Sequence, residues 1–298
     1  MKLVTFQTGK DVLVGALDGN EVVVIDVPDM RALFEMGAPV KDHAERLKTS
    51  RRFRLDAVKL RAPIIPKKIY HSAGNYAEHA HEGNRSNWVA PIKPWIVFYQ
   101  NVDAIIGPDD AIIYPEHLTK ELDYEIELCV VIAKSGKHIR ESEAEQYIGG
   151  YVIFNDITAR DIQRREMQSH NFVFSKSIDT FCPFGPWIVT PDEIPDPYNL
   201  DIELRVNGEK RQVSNSSHMS VTLPQLIVKF SPTGFSAGDI LTTGTVSGVA
   251  AFSQDPQAWF LKPGDKIEAE IEKIGVLRNH VVSWKEAYGV DAPEWQGF

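Results

Sequence analysis

The stretch Leu122-Asp123-Tyr124-Glu125-Ile126-Glu127-Leu128-Cys129-Val130-Val131-Ile132 sets carboxylates into an otherwise apolar run. Side chains alternate across a strand, so Glu125 and Glu127 project from one face, which helical spacing would not allow. Leu122, Ile126, Leu128, Val130 and Ile132 mark an interior strand rather than an edge. Glu-x-Glu on a strand is commonly a solvated face. On a covered strand the two carboxylates repel and lose hydration, and something positive is expected between them. A third carboxylate, Asp156, follows the apolar run 149 to 154 and precedes a helical stretch that starts near Thr158. Alone, Asp156 reads as a helix cap. Together the three look like an oxygen cage for a divalent ion, and all-oxygen ligation suits Mg²⁺, Mn²⁺ or Ca²⁺ rather than zinc.

Outward from this strand, the pattern stays mainly β. Strands are predicted at 94–99, 122–133, 150–155, 186–190, 200–206, 210–214, 240–243, 265–272 and 275–283, with helices at 158–169 and 222–230. Val206-Asn207-Gly208-Glu209 is a hairpin signal, because Asn-Gly tolerates the positive backbone angles of a two-residue turn. Gly238-Asp239 and Gly264-Asp265 each launch an apolar strand. Strands at 2–5, 12–16 and 21–27 and a polar helical stretch over 29–50 make a small α/β unit, residues 1–62. Ala62-Pro63-Ile64-Ile65-Pro66 separates it from the larger unit, 63–298.

With 298 residues, 43% of them hydrophobic, the chain can bury a large core. The net charge of −9 argues against nucleic acid or an anionic membrane as the main partner. No apolar run approaches the roughly 20 residues that span a bilayer, and the N-terminus reads without an apolar signal region, so a cytoplasmic location is expected. Cys129 and Cys182 are too few for a disulfide framework and read as packing residues.

Three further segments carry chemistry. In Gly74-Asn75-Tyr76-Ala77-Glu78-His79-Ala80-His81-Glu82, His79 and Glu82 lie one helical turn apart, so the carboxylate can orient the imidazole as a general base. A polar surface helix is the plainer alternative. His79 and His81 lack the partners of a zinc motif. The stretch from Glu82 to Pro91 has the composition of a lid. Lys176, in Phe174-Ser175-Lys176-Ser177-Ile178-Asp179-Thr180-Phe181, is either a surface charge on a buried stem or, beside a metal, a group that stabilises an oxyanion. Leu241-Thr242-Thr243-Gly244-Thr245-Val246-Ser247-Gly248 is a small-residue loop whose N–H and hydroxyl groups can reach a carboxylate.

Taken in order, these segments, with Asn155-Asp156-Ile157-Thr158-Ala159-Arg160-Asp161-Ile162-Gln163 and Gly185-Pro186-Trp187-Ile188-Val189-Thr190, resemble the fumarylacetoacetate hydrolase superfamily. The resemblance spans about 66–283. It implies a mixed β-sandwich roll, an Mg²⁺ or Mn²⁺ site held by Glu125, Glu127 and Asp156, and commonly a homodimer. By the same resemblance, His79 and Glu82 are a water-activating dyad, Lys176 is the catalytic lysine, and Tyr76, Arg160, Gln163 and Thr245 contact a small 2-oxo or diketo acid. The reaction it implies is hydrolysis of the C–C bond of a 2,4-diketo acid, with decarboxylation, dehydration or isomerisation of a 2-oxo acid as alternatives on the same site. Two positions depart from the family pattern. Gln100 stands where many relatives carry lysine, which removes a positive charge near the pocket, and Val246 replaces a common proline.

Overall fold

The computed structural model describes residues 1–85, 96–171 and 173–294. Among these, a twelve-stranded sheet follows the main path Lys48–Arg54, Glu21–Ile25, Asp11–Asp18, Lys2–Thr8, Cys182–Val189, Ile148–Asn155, Ile126–Ile132, Ile240–Thr245, Ile69–Ala73 and Ile96–Tyr99. A five-stranded sheet packs on it in the order Glu209–Asn215, Asp201–Val206, Lys266–Ile271, Gly275–Ser283 and Ala111–Tyr114. Most neighbours are antiparallel, but Ile69–Ala73 runs parallel to Ile240–Thr245, and Ala111–Tyr114 parallel to Gly275–Ser283. The result is the mainly β, mixed-sheet roll expected from the sequence.

The strand Ile126–Ile132 is buried throughout, with both its faces covered, and is apolar except at Glu127. Leu128, Val130 and Ile132 share a core with Leu204, Ile267 and Leu277 of the second sheet. Cys129, Val131 and Ala133 share another with Met30, Leu33 and Phe34 from the first N-terminal helix, Met30–Glu35. Glu127 has the parity of Cys129 and so projects on the side away from the second sheet. Full burial of each such aliphatic side chain is worth about 1.5–3 kcal/mol, enough to hold this central strand rigid while polar groups are mounted at its end.

The N-terminal strands extend the main sheet: Lys2 lies opposite Val189 and Leu3 opposite Ile188. The boundary read at residue 62 falls in the connection 61–68, between Lys59–Leu60 and Ile69–Ala73. The helical stretch read over 29–50 differs in the structure. It comprises Met30–Glu35, capped by the Asp29 side chain, then Val40–Arg46, then an edge strand, Lys48–Arg54, paired with Glu21–Ile25. Gly37, at φ 91°, and Pro39, which has no N–H to donate, end the first helix, and cross-strand pairing captures the charged run that follows. The hairpin at 206–209 forms as read, with Asn207 at φ 53° and Gly208 at φ 81°. Among the described residues no helix is long and apolar enough to cross a membrane.

Candidate active site

Four neighbouring strands of the main sheet place the site at one end of the sheet. Glu127 lies opposite Phe154 on one side and Thr245 on the other, Asp156 follows the strand Ile148–Asn155, and His71 sits on Ile69–Ala73. Glu125, Glu127 and Asp156 are only 5%, 3% and 1% exposed, so the solvated-face reading of the Glu pair does not hold. Nor is Asp156 a helix cap. The helix Arg160–Met167 begins after Ala159 with no side-chain cap, and the Asp156 carboxylate instead meets Lys176.

Lys176 Nζ is the hub: it donates to Asp156 Oδ2 at 2.5 Å, Glu125 Oε2 at 2.9 Å and Thr158 Oγ1 at 2.8 Å. Its loop is fastened to the helix Arg160–Met167, because the Glu166 carboxylate accepts from the N–H groups of Phe174 at 2.8 Å and Ser175 at 2.9 Å. Arg160 opens that helix and is spent on the network. It donates to Asp123 Oδ2 at 2.7 Å, Glu125 Oε1 at 2.5 Å and Gln163 Oε1 at 2.9 Å. Asp123 also accepts from the N–H groups of Tyr124, Ala250 and Ala251.

Four buried carboxylates, Asp123, Glu125, Glu127 and Asp156, thus face two buried cations, Arg160 and Lys176. The imbalance falls on Glu127: burial, then the charges of Asp156 and Glu125, push its carboxyl well above the usual range. Burial also raises Glu125, but Lys176 and Arg160 outweigh it and bring that carboxyl down to about 2. For Lys176 burial works against the charge, yet Asp156 and Glu125 prevail and raise its pKa, so it remains an ammonium. The excess of two negative charges is what a divalent cation would offset, and the oxygen-rich donor set fits one.

The strand Ile240–Thr245 and the loop after it secure two acids at once. Gly244 N–H donates to Glu127 Oε2 at 3.2 Å, and Gly248 N–H lies 3.1 Å from both Glu82 oxygens. Gly244 has φ 86°, and a Cβ there would lie 2.6 Å from the Ser72 carbonyl oxygen. Gly244→Ala is therefore expected to cost about 2 kcal/mol or more, through left-handed strain and a backbone clash. Urea unfolding measures this, and an unchanged midpoint would contradict the packing described.

His79 is on the helix Ala77–Arg85, with its Nδ1 3.5 Å from Glu82 Oε2 and its ring 5.5 Å from that of Phe252. His79, Glu125, Glu127, Asp156 and Lys176 all line one cavity of about 50 Å³, and Arg160, Gln163 and Thr245 complete that wall. Tyr76 is not brought to the cavity. It is fully buried in the core, its hydroxyl 3.5 Å from Thr243 Oγ1. Thr245 Oγ1 donates to the Ile126 carbonyl at 2.9 Å and accepts from Gln212 at 2.9 Å. Of the stretch read as a lid, Glu82–Arg85 lies on the helix, and residues 86–91 lie outside the described residues.

Three residues here escaped the sequence reading. Asp123 had a signal, since 123, 125 and 127 share one parity in the run read as a strand. Gln100 was noted only as a lost charge. It donates to Asp156 Oδ1 at 3.0 Å and to the Lys176 carbonyl. His71 had no signal, being a polar residue in a short run not recognised as a strand. It is fully buried, stacked on Phe98 at 4.7 Å, and burial lowers its pKa to about 3, so the imidazole is neutral. Its ligand atom and those of Glu127 and Asp156 lie within 4.8 Å of one another.

The sequence pattern of the fumarylacetoacetate (FAA) hydrolase C-terminal family matches residues 68–282. The chain belongs to the fumarylacetoacetate hydrolase family. Within that family it is 43% identical to oxaloacetate tautomerase Fahd2a, mitochondrial, of Rattus norvegicus, over 74% of this chain and 68% of the relative. Its fold matches a fumarylacetoacetate hydrolase from the psychrophile Exiguobacterium antarcticum with a TM-score of 0.81 and 31% identity, covering 95% of this chain and 99% of the other. A 5-carboxymethyl-2-hydroxymuconate delta-isomerase from Mycobacterium smegmatis matches with a TM-score of 0.76 and 31% identity, covering 95% and 100%. Fumarylacetoacetate hydrolase family members are thus enzymes of several reaction types, and this chain is placed among them with a buried triad able to hold a divalent ion.

Proposed function

We propose that the protein is a divalent-metal-dependent enzyme that enolises a small 2-oxo acid, and that its reaction is keto–enol tautomerisation of a 2-oxo dicarboxylic acid of the oxaloacetate type. The observation that carries this reading is one cavity lined both by a carboxylate cage with excess negative charge and by His79 backed by Glu82. A divalent ion held at Glu125, Glu127 and Asp156 would supply a Lewis acid for the carboxylate and 2-oxo groups of the substrate. His79 turns Nδ1 toward Glu82, which leaves Nε2 to take the proton from C3 of the substrate. The proton is then delivered to the 2-oxo oxygen, so the product is an isomer and no water is consumed. Lys176, held as an ammonium by Asp156 and Glu125, donates hydrogen bonds and stabilises developing negative charge rather than acting as a base. The tautomerase named in the rat relative supports this choice of reaction.

A second reading is hydrolysis of a 2,4-diketo acid. Glu82, fixed by Gly248 N–H behind His79, suits a base that activates water. Hydroxide would add to the 4-oxo carbon, the C3–C4 bond would break, and the products would be a carboxylic acid and a pyruvate. Two assays separate the readings: decay of enol absorbance with oxaloacetate, and pyruvate release from an acylpyruvate panel, each with Mg²⁺ or Mn²⁺. His79→Gln is expected to slow the true reaction by about 10²–10⁴-fold while Mn²⁺ binding is unchanged. Wild-type rates in that variant, or activity that survives chelation, would sink both readings. Oxaloacetate decarboxylation that persists in His79→Ala would point to the decarboxylase alternative.

A further inference from the structure

We propose that His71 is a nitrogen ligand of the divalent ion, through Nδ1, and that Gln100 positions it. The inference rests on the metal-dependent reading above. His71 Nδ1 lies 3.8 Å from Glu127 Oε2 and 3.7 Å from Asp156 Oδ2. Those separations are too long for hydrogen bonds. They match two ligands sharing one ion, since donor distances of about 2.0–2.2 Å put neighbouring ligands about 3–4.4 Å apart. Glu125 and Asp156 are each already engaged through both oxygens, Glu125 by Arg160 and Lys176 and Asp156 by Gln100 and Lys176, so a neutral nitrogen beside Glu127 adds a donor to the cage without adding charge.

Two orphaned atoms support the assignment. His71 Nε2 and Gln100 Oε1 are both buried without a hydrogen-bond partner. The Gln100 amide nitrogen is already used by Asp156 and the Lys176 carbonyl, which leaves Oε1 as its spare acceptor beside the imidazole. If Nδ1 gives its lone pair to an ion, Nε2 carries the proton and Gln100 Oε1 is there to accept it, so one event satisfies both atoms. An acceptor on the ring's far nitrogen is the usual way a ligating histidine is oriented. The competing contact is Thr242 Oγ1, 3.2 Å from Nδ1, which would take that nitrogen's proton if His71 were only structural. One nitrogen among oxygens favours Mn²⁺ and later transition ions over Mg²⁺.

The test is pulsed electron paramagnetic resonance on the Mn²⁺-loaded protein, with natural and ¹⁵N-labelled histidine, beside titration calorimetry with Mn²⁺ and Mg²⁺. We expect a histidine nitrogen coupling that changes with the label, persists in His79→Gln and disappears in His71→Phe. The phenylalanine keeps the stack on Phe98, and its Mn²⁺ affinity should fall about 10–100-fold, with a smaller loss for Mg²⁺. Mn²⁺ binding with no histidine coupling in the wild type, or a coupling that survives His71→Phe, overturns the assignment and leaves the proposed function standing. Failure of the wild type to bind Mn²⁺ at all overturns both.

Discussion

Arg160→Met is expected to destabilise the protein by about 3 kcal/mol, the lower end of the range for removing one partner of a buried ion pair. The substitution strands Asp123 and Glu125, which the guanidinium meets at 2.7 Å and 2.5 Å. The loss stays at the lower end because Asp123 keeps three backbone N–H donors and Glu125 keeps Lys176. Arg205 provides the control. It contacts Glu203, Glu268 and Glu270, but these side chains are 19–44% exposed to solvent, and Arg205→Met should cost under about 1 kcal/mol. Urea midpoints for the two variants, at constant slope, measure the difference. Equal losses would mean that the buried network does not bear on the fold in the way described.

Glu127→Gln is expected to move stability and ion binding in opposite directions. Without an ion, Glu127 carries the worst of the crowding from Asp156 and Glu125, and a neutral amide of the same shape relieves it. The chelator-treated variant should therefore unfold at higher urea than the wild type, by about 1 kcal/mol, a gain of the size found when strained functional sites are relaxed. The same change removes one of the carboxylates of the cage, so divalent affinity should fall by about 100-fold or more, and turnover with it. Comparing midpoints with and without Mn²⁺ tests both halves. A variant less stable than the wild type under chelation would show that Glu127 is a structural acid and not a functional one.

The mainly β architecture was legible because alternation and turn chemistry agree along most of the chain. The Asn207-Gly208 hairpin and the Gly-Asp strand starts are in place, and the strand read over 122–133 is present as Ile126–Ile132, with Leu122–Asp123 split off to pair with Thr158–Ala159. The reading failed where local signal and tertiary pairing disagree. The helical reading of 29–50 runs into Lys48–Arg54, a charged stretch that is in fact an edge strand held by Glu21–Ile25. Ile69–Ala73 is too short, and too polar at His71 and Ser72, to announce a strand, although it pairs with Ile240 and Leu241. The acids of the site were visible because they interrupt apolar runs. Asp123 could have been found by extending the same parity by two residues. His71 and Gln100 could not, since their importance comes from strands far apart in sequence that meet only in the sheet. The commitment of Arg160 to Asp123 and Glu125 is likewise a fact of packing.

Lys176 gives the cage a permanent resident charge. Its ammonium, shared among Glu125, Asp156 and Thr158, keeps part of the electrostatic balance within the polypeptide itself. Many small metal-dependent domains unfold when stripped of metal. Here the scaffold should stay folded under a chelator, with or without a divalent ion in the cage.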